Sequence, residues 1–138
     1  MQREVDGMRK RLIVLFAIAC LISCGAERGE RVNTVDTSGM VTMYTTAYNL
    51  HGITANGGTT RPNIAACNGH LGEIAVVYTI DGEYLTTVEI TDTGGSEGMK
   101  AGVVLDVWFD TYEECVAWML KVADSGGKCK VLFVKGEG

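Results

Sequence analysis

Three aspartates, Asp92, Asp106 and Asp110, stand in the stretch Val88–Asp110 (VEITDTGGSEGMKAGVVLDVWFD), in a setting that acid–base cleavage of a carbohydrate would need. Asp92 closes an alternating run and opens into Thr93-Gly94-Gly95, where glycine lets the backbone turn sharply or lets a ligand approach it closely. Asp106 lies inside the apolar run VVLDVWF, where a carboxylate is costly to bury without a partner. A carboxyl group kept in such a place often holds its proton to higher pH and works as a general acid. Each residue also has a plainer reading. Asp106 can be a structural carboxylate bonded to backbone N–H groups, and Asp92 a turn-capping residue ahead of Gly94-Gly95. Asp110, with Glu113 three residues on, has capping-box spacing and is read as a helix N-cap or a third site residue. Gly94-Gly95 is no phosphate loop, because no Lys-Ser/Thr follows.

The elements that would carry these residues read as a small mainly β domain. Met40–Tyr48 is rich in β-branched and aromatic residues and predicts a first strand. Asn49–Pro62 is a long Gly/Thr/Asn-rich loop, and long loops in compact domains are often functional. Asn63–Cys67 predicts a short buried strand, and Glu73–Ile80 and Glu83–Ile90 flank the hairpin signal Asp81-Gly82. Val103–Phe109 predicts another strand, and a helix over about 111–123 follows. Tyr112, Cys115, Val116, Met119 and Val122 recur at helical spacing as its buried face. Gly126-Gly127 ends the helix and Lys128–Lys135 closes the domain. If the strand through Asp106 is regular, Asp106, Trp108 and Asp110 share one face. Trp108 is then a sugar-stacking platform or a core tryptophan.

The remaining composition bounds the function. Arg9, Lys10 and Arg11 precede the apolar stretch Leu12–Ile22, which is short for a bilayer span and the right length for an export signal. It ends in Leu21-Ile22-Ser23-Cys24, which resembles a bacterial lipobox and would lipidate Cys24; plain secretion and an uncleaved anchor are the other readings. The expected layout is a signal at 1–24, a flexible tether at 25–39 and one domain at 40–135, exported and membrane-anchored or secreted to the wall. Of the 12 Lys+Arg and 17 Asp+Glu, residues 1–23 hold Arg3, Arg9, Lys10, Arg11, Glu4 and Asp6, leaving 8 against 15, a net charge of −7. That balance disfavours nucleic acid as a partner. Beyond the leader stand Cys67, Cys115 and Cys129; an oxidising compartment permits a Cys115–Cys129 bridge, and three free core thiols are the alternative. No CxxC or other ligand spacing is present, so neither a metal nor a cofactor is expected. His51 and His70 read as loop residues, and Arg61 as a surface or Asp-pairing residue.

Taken together, Thr46-Ala47-Tyr48, Thr54-Ala55-Asn56-Gly57, Asp92-Thr93-Gly94-Gly95 and the run Leu105–Asp110 with Tyr112 and Glu113 resemble the three-aspartate (Asp-Asp-Asp) domain. The resemblance covers about Val41–Val134. It implies a six-stranded double-psi β-barrel related to membrane-bound lytic transglycosylase A and, more distantly, to rare lipoprotein A and the expansins. The interval from Asp92 to Asp106 is a few residues longer than the family pattern, and His70-Leu71-Gly72 stands where Pro-Leu-Gly is usual. The resemblance implies that Asp106 does the acid–base work between N-acetylmuramic acid and N-acetylglucosamine, supported by Asp92. It places Tyr48, Thr54, Asn56, Gly94 and Gly95 on the substrate side. The function expected is a lytic transglycosylase or glycoside hydrolase acting, as a monomer without cofactor, on peptidoglycan glycan strands. The competing expectations are a non-catalytic, expansin-like wall-binding module and, as a minor one, an aspartic protease built on Asp92-Thr93-Gly94.

Overall fold

A computed structural model describes residues 31–36 and 38–136. The expected export signal, Cys24 and the start of the expected tether lie outside the described residues. Six strands close into one barrel in the order β1-β5-β2-β4-β3-β6. They are β1 Val41–Tyr48, β2 Ile64–Ala66, β3 Glu73–Tyr78, β4 Tyr84–Asp92, β5 Val104–Trp108 and β6 Lys128–Lys135. The sheet is mixed. β1 runs parallel to β5 and β2 parallel to β4, while the other four pairings are antiparallel.

Alternation decides what faces inward. Met43 and Ala47 of β1, Ala65 of β2, Ala75 and Val77 of β3, Val88 and Ile90 of β4, Leu105 and Val107 of β5, and Cys129 and Val131 of β6 form one cluster. Every strand contributes, so this cluster fills the barrel. The opposite faces of β1, β2 and β5 carry a second, smaller cluster of Tyr48, Ile64, Ala66, Trp108 and Met99. β2 is therefore buried on both faces, as its unbroken apolar sequence requires.

Two helices finish the domain. A single turn, α1 (Glu97–Lys100), is capped by Ser96, whose hydroxyl accepts from Met99 N–H. It lies in the interval between Asp92 and Asp106. The main helix, α2 (Tyr112–Lys121), begins one residue later than the Asp110 cap predicts. Thr111 is its N-cap, in a full capping box with Glu114. The predicted inward face is likewise corrected. Cys115, Trp118, Met119 and Val122 are buried, while Val116 is exposed. Trp118 ties the helix to the barrel: its Nε1 donates to Thr45 Oγ1 at 2.9 Å, and that hydroxyl donates to Leu105 O at 2.9 Å. A 3₁₀ turn, Ala123–Ser125, and the left-handed Gly126 and Gly127 lead into β6.

The described end of the tether folds back on β1. Val35 bridges to Val41, and Asp36 Oδ1 accepts from the N–H groups of Ser38 (2.8 Å) and Met40 (3.2 Å). These bonds, the Ser38 hydroxyl first among them, hold the Asp36 carboxyl down at about 2. The sulfurs are settled differently from the Cys115–Cys129 bridge. Cys67, Cys115 and Cys129 are free and buried. Cys115 lies on the inner face of α2 and Cys129 inside the barrel wall, each packed as a small apolar side chain.

Candidate functional site

The barrel register brings the two central aspartates into one row. Asp106 is opposite Thr46 of β1 on one side and Ala66 of β2 on the other. Ala66 in turn is opposite Asp92 at the end of β4. Facing residues in neighbouring strands project to the same side, so the row reads Thr46, Asp106, Ala66, Asp92. Two strand spacings, roughly 9–10 Å, separate the two aspartate backbones. Between them Ala66 projects only a methyl group. The register slips between Ala65 and Ala66, a bulge that skips Thr91 and brings Asp92 into line.

The two carboxyl groups have different surroundings. Asp106 is 2% exposed, and Thr46 Oγ1 donates to its Oδ1 at 2.5 Å. It shares its side of β5 with Val104 and Trp108, under the smaller cluster. Asp92 is half-buried at the rim, and its Oδ1 accepts from Ala55 N–H at 3.0 Å and from Thr93 N–H at 2.9 Å. Asp92 thus anchors the long loop between β1 and β2 and shapes its own turn, as an Asx residue does.

The loop residues divide by role. Thr54 is buried and donates to Asn56 Oδ1 at 2.6 Å, which also accepts from Gly58 N–H at 3.0 Å. Asn56 N–H reaches Thr91 O at 3.0 Å. Thr54 and Asn56 therefore brace the loop against the end of β4. Tyr48 is buried in the smaller cluster at 2% exposure. Of the residues assigned to the substrate side, Asn56 and Gly95 are exposed and Gly94 is half-buried.

Gly94 is held by a residue that sequence reasoning missed. The Asn68 side-chain amide accepts from Gly94 N–H at 2.8 Å and donates to Gly94 O at 2.9 Å. A Cβ on Gly94 would stand 2.9 Å from Met99 Cγ, so this glycine lets α1 close over the turn. No local pattern marks Asn68, since its partner lies 26 residues away.

Asp110 stands apart from the row. It is exposed, and His51 Nε2 donates to its Oδ1 at 2.7 Å, with the imidazole edge-on to Trp108 at 5.3 Å. Trp108 is 4% exposed and donates from Nε1 to Leu50 O at 2.8 Å, so it belongs to the core and is no open stacking platform. Arg61 pairs with Glu89. Among the described residues no three His, Cys, Asp or Glu side chains gather in a way that could hold a metal ion. None of the described helices is long and apolar enough to cross a membrane.

Burial raises the three thiols, Cys67 and Cys115 to about 12 and Cys129 upward as well. None is poised as a nucleophile.

Comparison with protein-family models, with curated proteins and with solved structures finds no match for this chain. The functional reading consequently rests on the residues and their arrangement.

Proposed function

We infer that the chain is an exported double-psi β-barrel of the three-aspartate type that cleaves peptidoglycan glycan strands, with Asp106 as the general acid and base. The observation that carries this is the row itself. A carboxyl group buried mid-strand, bonded to a neighbouring hydroxyl, lies one alanine away from a second carboxylate at the rim. Burial disfavours the charged form of a carboxyl group. A protonated Asp106 donates its proton to the glycosidic oxygen as the C–O bond breaks. The resulting carboxylate takes the proton of the muramic acid 6-hydroxyl as that oxygen bonds to the anomeric carbon. The product is a 1,6-anhydro sugar, and no water is consumed. Asp92 orients the loop and adds negative charge at the rim. In a two-carboxylate hydrolase it would activate water instead.

The leader supports export, with Cys24 as lipid anchor and the barrel working as a monomer at the outer face of the membrane or in the wall. The deciding experiment is mass spectrometry of purified peptidoglycan after incubation with the protein. Anhydro-ended fragments support the single-acid route, new reducing ends support hydrolysis, and no fragments from several wall types refute cleavage. The burial of Asp106, Tyr48 and Thr54 favours one other reading, a non-catalytic module that holds wall polysaccharide at the exposed rim. Binding without fragment release would identify it.

A further inference from the structure

The outer faces of β3 and β6 carry a patch that the aspartate row does not use. Ala75 and Val77 of β3 and Cys129 and Val131 of β6 fill the barrel, so the alternate residues of both strands project outward. Those residues are apolar. Ile74 is opposite Val134, and Val76 is opposite Leu132. Tyr78 follows on β3, with the ring of Tyr84 from β4 edge-on to it at 6.0 Å. A sheet face turned to water commonly reads polar. Here Val134 is 45% and Tyr84 60% exposed, while α1 and α2 pack on β5 and β1.

The charges at the edge of the patch are neutralised in place. Glu89, opposite Ile74, pairs with Arg61. Lys130, opposite Tyr78, has its Nζ 3.4 Å from Asp36 Oδ2. The Tyr84 hydroxyl is hydrogen-bonded to Thr87 Oγ1 at 2.9 Å. The patch is thus apolar in the middle, balanced in charge at its corners and edged at one end by tyrosines. Such side chains favour the boundary between acyl chains and water.

We propose that this face rests on a lipid bilayer. The proposal rests on the reading of Cys24 as the lipid anchor and not on glycan cleavage. Cys24 lies seven residues before Arg31, the first described residue, and seven residues reach at most about 25 Å. The chain then enters the domain beside the patch. Val35 bridges to β1, Asp36 meets Lys130, and a Cβ on Gly39 would stand 3.9 Å from Leu132 Cδ1. An anchor on so short a connection holds the patch near the surface, so a weak apolar contact is enough. A second copy fits less well. Three strands by five residues, side chains included, give the patch on the order of 300 Å², against roughly 800 Å² per partner in a stable complex.

Orientation follows from the strand order. In the ring β1-β5-β2-β4-β3-β6, the pair β3 and β6 stands opposite the pair β5 and β2. Those two strands carry Asp106 and Ala66, which face each other outside the barrel. With β3 and β6 on the bilayer, the aspartate row faces away from it, toward the wall polymer.

The test uses the full-length lipidated protein in phosphatidylcholine vesicles. A bimane label is placed on Thr87→Cys, in the patch, or on Lys100→Cys, exposed on α1 at the opposite side. A nitroxide on the acyl chains should quench the label at 87 at least threefold more than the label at 100. Leu132→Glu and, at the more exposed position, Val134→Glu should each bring quenching at 87 down to the level at 100, with the protein still vesicle-bound through Cys24. Equal quenching at the two positions, or strong quenching at 87 that survives both substitutions, overturns the proposal and leaves the anchor standing. Energy transfer between copies labelled at 87, in place of quenching by lipid, assigns the face to a second copy and also overturns it. Wild-type protein recovered without lipid in the soluble fraction removes the anchor and the proposal with it.

Discussion

Replacing Asp106 separates its chemical role from its structural one, because the structure gives each a different size. Asp106→Asn keeps the shape of the side chain and leaves a carbonyl oxygen for the Thr46 hydroxyl, which donates at 2.5 Å in the wild type. Asp106→Ala instead strands that hydroxyl at a site where Thr46 and residue 106 are each 2% exposed. An unsatisfied buried donor costs about 1–3 kcal/mol. For a domain of roughly 100 residues, each 1 kcal/mol lowers Tm by about 4–8 °C. Asp106→Ala should therefore melt roughly 4–24 °C below wild type, and Asp106→Asn within a few degrees of it. Activity should order the variants differently. Loss of the acid proton removes general acid–base catalysis, about 10²–10⁴ in rate or roughly 3–5.5 kcal/mol in barrier, in both. The assay pairs thermal melts with the rate of soluble fragment release from peptidoglycan. An Asn variant that melts like wild type and cuts at the wild-type rate refutes the role assigned to Asp106.

Thr111→Ala should cost about 1 kcal/mol in a denaturant melt, because it removes the observed N-cap, while Asp110→Asn should stay within about 0.5 kcal/mol; the reverse order would restore Asp110 as the cap. Gly94→Ala sets a Cβ against Met99 and should destabilise by about 1–3 kcal/mol, and with Met99→Ala the combined loss should fall short of the two single losses added together. Cys67, Cys115 and Cys129 should resist alkylation at pH 8 in the folded protein and react once it is denatured; peptide mapping that finds any of them modified rapidly in the native state contradicts their burial. The turn at Asp36 should show a pH response of definite sign. Its folded pKa of about 2 lies below the ordinary 3.8, so its contribution is complete above that range and fades as pH falls toward 2. Amide exchange at Ser38 and Met40 should quicken over that window, and an unchanged rate would count against the hydrogen bonds described.

Much of the barrel was legible because strand signals are local. The run Lys128–Lys135, apolar between flanking lysines, forms a strand with those limits, and Asp81-Gly82 does turn the β3–β4 hairpin, with Gly82 at φ +95°. The helix start was ambiguous for a definite reason. In Asp110-Thr111-Tyr112-Glu113-Glu114 two capping boxes overlap, and spacing alone cannot choose between them. His51, 59 residues away, engages the Asp110 carboxylate, while Thr111 and Glu114 close the box. The buried face takes in Trp118 and leaves Val116 exposed, because several apolar residues of the helix share helical spacing and only packing on the barrel chooses among them. α1 was invisible because four residues give no periodicity. The row joining Asp92 to Asp106 was legible only as two motifs; that they meet across Ala66 is a fact of strand order, which no local pattern carries.

The strand order also dictates how the chain must fold. β1 and β5 lie side by side although Thr46 and Asp106 are 60 residues apart in sequence, and β6 is the strand that joins β1 to β3. Only the β3–β4 hairpin joins strands that follow each other in sequence, so for the other five pairings loop-closure entropy must be met before the long-range contacts return anything. A nascent chain lacking residues 128–135 would present two unpaired edges, β1 and β3, each a template for another copy. Folding in milliseconds to seconds, rather than microseconds, is the consequence. Over that interval the open ring depends on whatever keeps copies of the chain apart.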